Sequence, residues 1–151
     1  MSVAVRCPGE ADTRAVGRRL ASLLRSGDVV LLTGDLGTGK TVFASGIAEG
    51  LGVAERVVSP SFVLARRYEG LIGLVHADLY RVGSSAEVED LDLLDAAADG
   101  VLVVEWGEAA ARCFPDDHLL VRLEADEEGA RTITLHRRGS WQGRPLEEVA
   151  G

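Results

Sequence analysis

The octapeptide Gly34-Asp35-Leu36-Gly37-Thr38-Gly39-Lys40-Thr41 stands between a wholly apolar run, Val29 to Leu32, and the helical spacing of Phe43, Ile47 and Leu51. That context leaves few folds open. An apolar run without alternation reads as a strand buried on both faces in a parallel sheet. The three glycines let the chain reverse tightly and start a helix at once. Backbone amides in such a turn, together with the positive end of the helix, converge on a point that favours phosphate. The pattern Gly-x4-Gly-Lys-Thr is the P-loop spacing. It predicts that Asp35, Leu36, Gly37, Thr38, Gly39, Lys40, Thr41 and Val42 hold a nucleotide, with Lys40 on the β- and γ-phosphate oxygens and the Thr41 hydroxyl on a magnesium ion.

Composition sharpens this at one place. Sixteen residues are Lys or Arg, and Lys40 is the only lysine among them. A compact ammonium on a flexible stem fits between phosphate oxygens where a planar guanidinium is too bulky. The guanine-reading Asn/Thr-Lys-x-Asp element is excluded for want of a second lysine, so ATP is expected over GTP. The net charge of −8 speaks against gripping nucleic acid directly, and any contact with RNA is expected through a more basic partner. Two cysteines, Cys7 and Cys113, make neither a disulfide framework nor a zinc site. No apolar run approaches the ~20 residues of a membrane span, and no secretory signal is visible at the start of the chain. The 151 residues are read as one cytoplasmic P-loop ATPase domain with no membrane contact.

The remaining elements fit an α/β, P-loop NTPase-like three-layer sandwich, its mixed sheet having a parallel centre and antiparallel hairpin additions. Val3 to Val5 reads as a first strand, and residues 12 to about 25 as a helix capped by Asp12 or Thr13. Val63 to Tyr68 and Leu71 to His76 suggest a hairpin turning at Glu69-Gly70. Glu87 to Leu94 suggests a short acidic helix, and Val101 to Val104 a second buried strand. Leu119 to Glu124 and Thr132 to His136 suggest another hairpin, and Ser140 to Ala150 a closing helix. There is no length for a lid or a separate acceptor domain.

A second acid is expected to serve the metal at the end of an apolar strand. Glu105 follows Val101-Leu102-Val103-Val104 and is the better candidate; Asp78, after Leu74-Val75-His76-Ala77, is the runner-up. The working assignment gives Glu105 the metal and Asp78 the attacking water or the loop that carries it, so that Lys40, Asp78 and Glu105 are the candidate catalytic residues. Trp106 either packs beside the nucleotide or is a core aromatic. His76 reads as a structural histidine or loop-holder and not as a metal ligand, Arg81 as a surface residue or a phosphate or partner contact. The pairs Arg66-Arg67 and Arg137-Arg138 read as solvated faces.

Four ordered motifs then converge. The P-loop, Ser59-Pro60-Ser61-Phe62, His76-Ala77-Asp78-Leu79-Tyr80-Arg81 and Val104-Glu105-Trp106-Gly107-Glu108 resemble, in order and spacing, the bacterial TsaE (YjeE) family over roughly residues 10 to 125. The resemblance implies a small ATPase needed to make threonylcarbamoyladenosine in tRNA, working with TsaD-like and TsaB-like proteins that carry out the transfer and touching tRNA only through them. It implies that Ser61 lies in a first switch-like loop near the nucleotide and Asp78 in a second. Glu105 would be the magnesium-associated acid and Trp106 the aromatic beside the site. Ser61 stands where the family usually has threonine, so the hydroxyl is kept and a methyl is lost. Two other functions compete: a free-standing small-molecule P-loop kinase, and a nucleotide-regulated binding module with negligible hydrolysis. Without an evident arginine finger or lid, slow turnover is expected of the chain alone.

Overall fold

A computed structural model describes residues 2–35, 37–58, 64–80, 82, 84–106 and 112–151. In chain order these form β1 (Ser2–Cys7), α1 (Glu10–Ala21), β2 (Val29–Thr33), α2 (Lys40–Gly50), β3 (Ala65–Tyr68) and β4 (Gly73–Asp78). There follow α3 (Ser85–Asp90), α4 (Leu93–Ala96), β5 (Gly100–Glu105), β6 (Leu119–Ala125) and β7 (Arg131–Arg137). One sheet carries all seven strands in the order β1-β7-β6-β2-β5-β4-β3. The strand before the P-loop is flanked by β5 and β6, both parallel to it, and β4 runs parallel to β5. The β3–β4 and β6–β7 pairs are antiparallel hairpins, and β1 closes the far edge against β7.

Alternation along the buried strands sorts their side chains between two layers. Val30, Leu32, Leu74, Val101 and Val103 face the core under α1 and α2. Val29, Leu31, Val75, Leu102 and Val104 face a smaller core with Val88, Leu93 and Phe114. The three-layer sandwich and the parallel centre are as the sequence predicts. Because His76 and Asp78 follow Leu74 at period two, and Glu105 follows Val103, all three point to the α1–α2 side.

Several boundaries differ from the sequence reading, each for a local reason. The cap of α1 is Gly9, and Asp12 sits inside the first turn, its carboxylate accepting from the Gly9 amide at 2.9 Å. The hairpin's second strand begins at Gly73 and runs to Asp78, leaving Leu71 exposed at the turn. The acidic helix is two short helices, broken at Asp92, whose φ of 52° is left-handed. The closing helix is two 3-10 turns, Gly139–Gly143 and Leu146–Ala150, which insert Trp141, Leu146 and Val149 into the α1-side core. Arg137 is not a solvated residue: it is buried and donates to Glu147 at 2.7 Å, while Arg138 is exposed. Arg144 forks onto both oxygens of Asp28, at 2.5 and 2.8 Å, and lies over the Trp141 ring.

What seats α2 is a seam of glycines. A methyl on Gly46 would meet the Arg14 carbonyl oxygen at 2.1 Å, one on Gly17 the Phe43 oxygen at 2.4 Å, and one on Gly50 the Ala21 methyl at 2.4 Å. The two helix backbones therefore touch, which no side chain at these positions permits. Gly46→Ala is expected to lower unfolding free energy by about 2 kcal/mol, overpacking outweighing the ~1 kcal/mol gain in helix propensity. Urea unfolding checks it; an unchanged or raised midpoint would mean that the helices are not in backbone contact.

Candidate functional site

The P-loop is shaped from inside. Gly34, Gly37 and Gly39 take φ values of +145°, +81° and +99°, a region that side chains avoid. A methyl on Gly34 would meet the Leu123 oxygen at 2.3 Å, so the loop lies directly on β6. A methyl on Gly37 meets nothing within 4 Å, so that side of the turn is open. The carbonyl oxygens are held within the protein. Lys40 Nζ donates to the oxygens of Gly34 and Asp35, both at 2.8 Å, and the Thr38 hydroxyl also donates to Asp35. From β7, Arg131 donates to the Thr38 oxygen at 3.1 Å and the Gly37 oxygen at 3.0 Å. Lys40 is only 4% exposed, and its ammonium lies 3.9 Å from the centre of the Trp106 ring.

The acids meet the loop from the neighbouring strands. Asp78 and Glu105 are register partners at the ends of β4 and β5, on the face α2 covers. The Thr41 hydroxyl is 3.1 Å from each Glu105 carboxylate oxygen, and His76 Nε2 is 2.5 Å from Oε2. The Nε2–H tautomer donates to the carboxylate, as an anionic acceptor requires. Glu105 and His76 are both buried, and Nδ1 of His76 has no hydrogen-bond partner among the described residues. The Asp78 carboxylate accepts from the Tyr80 amide at 3.0 Å. Trp106 itself has φ +67°, an uncommon value for a bulky residue, and its amide donates to the Leu32 oxygen. Its ring meets that of the exposed Tyr80, centroids 4.9 Å apart.

The structure thus gathers Asp35, Gly37, Thr38, Gly39, Lys40, Thr41, Asp78, Glu105 and Trp106 at one end of the parallel strands. Val42 lines a hollow on the α1 side of the loop, with Gly9, Thr13, Gly39, Gly129 and Arg131. A second hollow runs from Gly34 and Asp35 along Arg122 to Ala125 of β6. Leu36, Ser61 with its loop Ser59 to Phe62, Arg81, and Gly107-Glu108 lie outside the described residues. Among the described residues no group of three His, Cys, Asp or Glu side chains is arranged to enclose a metal.

His76, read as a structural histidine or loop-holder, is buried and bonds Glu105, its period-two spacing to Asp78 placing it on the acids' face. One contributor escapes the sequence reading. Arg131 lies almost a hundred residues from the loop it grips, and nothing local marks it; only the β6–β7 hairpin's return to the P-loop brings it there.

Comparison with known proteins places the chain in a family. Residues 7–133 match the family model described as threonylcarbamoyl adenosine biosynthesis protein TsaE. The chain is 47% identical over 149 residues to a Streptomyces coelicolor tRNA threonylcarbamoyladenosine biosynthesis protein TsaE, spanning 91% of this chain and 99% of that protein. A Bacillus subtilis protein of the same description is 36% identical over 141 residues, 92% of this chain and 88% of its own. The crystal structure of Bacillus subtilis YdiB superposes with a TM-score of 0.82 at 30% identity, covering 99% of this chain and 95% of that one.

Arg131→Ala removes both clamps on the loop carbonyls. At about 1.5 kcal/mol for a charge-assisted hydrogen bond, amide exchange through residues 37 to 39 is expected to quicken at least about tenfold while the β2 amides stay protected. Exchange that is unaltered at the loop would show that Arg131 does not hold it.

Proposed function

We propose that this chain, which belongs to the TsaE family of threonylcarbamoyl adenosine biosynthesis proteins, serves tRNA modification as an ATP-hydrolysing subunit. The observation that carries this reading is the meeting of Lys40, Thr41 and Glu105 at the mouth of a turn whose carbonyls are already tied back. With those carbonyls turned inward, the amides of the turn are left for an anion.

The residues fit magnesium and ATP. A hydroxyl and one carboxylate beside an open phosphate cradle suit an ion that keeps few protein ligands and takes the rest from phosphates and water. Thr41 and Glu105 are its holders, and the ion when bound would neutralise charge across the phosphates. His76 keeps Glu105 aimed at the Thr41 hydroxyl. Lys40 turns its ammonium to the phosphates from where Gly34, Asp35 and Trp106 now keep it. Asp78, beside Glu105 on the next strand, orients the attacking water or the loop that brings it. Val42 and the hollow lined by Gly9, Gly39 and Gly129 would hold the nucleoside. ATP is favoured by the absence of a lysine to read guanine.

In this reading the chain does not transfer the threonylcarbamoyl group. Its nucleotide cycle changes its affinity for TsaD-like and TsaB-like partners, since a ligand shifts an equilibrium only through differential binding. Contact with tRNA is left to those partners, in keeping with a net charge of −8.

Binding and turnover separate the roles. Lys40→Ala is expected to weaken Mg·ATP binding at least about tenfold. Glu105→Gln, with the TsaD and TsaB proteins present, is expected to keep ATP affinity within a few-fold and lose turnover by about 100-fold, or ~2.7 kcal/mol of barrier. Turnover within twofold of the unaltered chain for Glu105→Gln would overturn the assignment. Phosphate transfer to a metabolite without partners would favour a kinase.

A further inference from the structure

On the sheet face opposite the α1–α2 layer, α3, α4 and the segment 112–114 enclose an open cleft. Val88, Leu93 and Phe114 form its apolar floor, Cys113 one wall, and Glu89 and Asp92 its rim. Leu94 stands at the edge, 43% exposed. Glu87, Asp90 and Asp95 are also exposed on these two helices, which adds acidic charge to the elements that wall the hollow. No lysine, arginine or histidine occurs between Arg81 and Arg112.

We propose that this cleft is the docking site for a lysine- or arginine-bearing segment of a protein partner, anchored through an apolar side chain. The inference rests on the partner-cycling reading above and assigns its contact surface. Three alternatives meet physical objections. RNA presents phosphates, which the carboxylates of the rim and of the two helices repel. A second copy docking symmetrically sets the same carboxylates against themselves. A small ligand needs a few convergent buried polar groups to orient it, and the polar groups here lie on the solvent rim. A basic peptide with an apolar anchor satisfies both the floor and the rim.

The cleft is also strung from the nucleotide site. Its α3–α4 wall follows β4, which ends in Asp78, and its 112–114 wall follows β5, which ends in Glu105. The two strand ends are tied by the Leu79 amide donating to the Glu105 oxygen at 3.1 Å. An occupant of the cleft and a nucleotide at the P-loop therefore bear on the same two segments, and coupling between them is reciprocal.

The test uses the whole chain with the TsaD and TsaB proteins and a non-hydrolysable ATP analogue. Glu89→Lys/Asp95→Lys and, separately, Leu94→Ser are expected to bind the analogue within twofold of the unaltered chain but to associate with the partners at least about tenfold more weakly. The charge variant should lose mainly association rate and salt dependence. Maleimide labelling of Cys113 should slow on partner binding; Cys7 does not interfere, being buried, with burial pushing its thiol pKa up. If the unaltered chain associates in neither nucleotide state, the partner-cycling reading fails and takes this one with it. If it associates while both variants bind within twofold and Cys113 stays reactive, the cleft assignment alone is overturned. Self-association that protects Cys113 without partners would overturn it too.

Discussion

A carboxylate removed from water has to be paired or neutralised, and the candidate site is organised around one that is. Glu105 is 3% exposed, and its oxygens are taken by the Thr41 hydroxyl and the His76 imidazole. Burying an unpaired carboxylate is so costly that the three groups hold one another in place. They come from α2, β5 and β4, which the chain visits in three separate passes. Their meeting fixes the start of the P-loop helix against the ends of the acid-bearing strands, and with it the distance between Lys40 and both acids. Parallel strands make this possible, since β2, β4 and β5 all present their C-terminal ends at the same edge.

That junction holds only if α2 lies at the right height over the sheet, and the glycine seam sets the height. Glycines inside helices sacrifice propensity, roughly 1 kcal/mol each against alanine. Here three of them let α1 and α2 come together at backbone contact, drawing Phe43 and Ile47 fully into the core. The C-terminal turns complete the same layer, with Trp141 under the Arg144 guanidinium and Arg144 locked on Asp28. A buried ion pair of this kind adds little net stability over an apolar pair, but it is costly to break. It ties the end of the chain to the residue just before β2, the strand from which the loop springs.

The parts of this structure governed by local periodicity were legible in the sequence. The apolar runs at Val29 and Val101 gave buried parallel strands, the P-loop its helix, and the two hairpins their partners. The motif and strand-end positions singled out Lys40, Thr41 and Glu105, and the structure puts the Thr41 hydroxyl on the Glu105 carboxylate with Lys40 beside it in the chain. What was not legible depends on contacts distant in sequence. Arg131 reaches the loop only because β7 returns beside β6, and Arg137 is buried only because the last turns fold back over β7. Asp92 breaks the acidic helix by entering left-handed space, a conformation Asp tolerates without any periodic signal. His76 was visible in principle, since period two carries it to the face of Asp78, but a lone histidine in an apolar strand gives no reason to prefer a site over a core.

Lys40 is held in one place by its surroundings. Two of its donors already satisfy the Gly34 and Asp35 oxygens, and the Trp106 face covers the ammonium. What the arrangement supplies is position. A buried ammonium held by two carbonyl oxygens and an indole face keeps little of the ~2 kcal/mol of lysine side-chain rotamer entropy. The left-handed backbone of Trp106 belongs to the same device, because it keeps the indole over the ammonium at the end of β5. Strain of about 1–3 kcal/mol at such a residue persists only where the surroundings over-determine it, and here they do, through the Leu32 carbonyl, the Tyr80 ring and Lys40 itself. The ends of β4 and β5 thereby fix where the charges of the candidate site stand, and a shift of either end would move them.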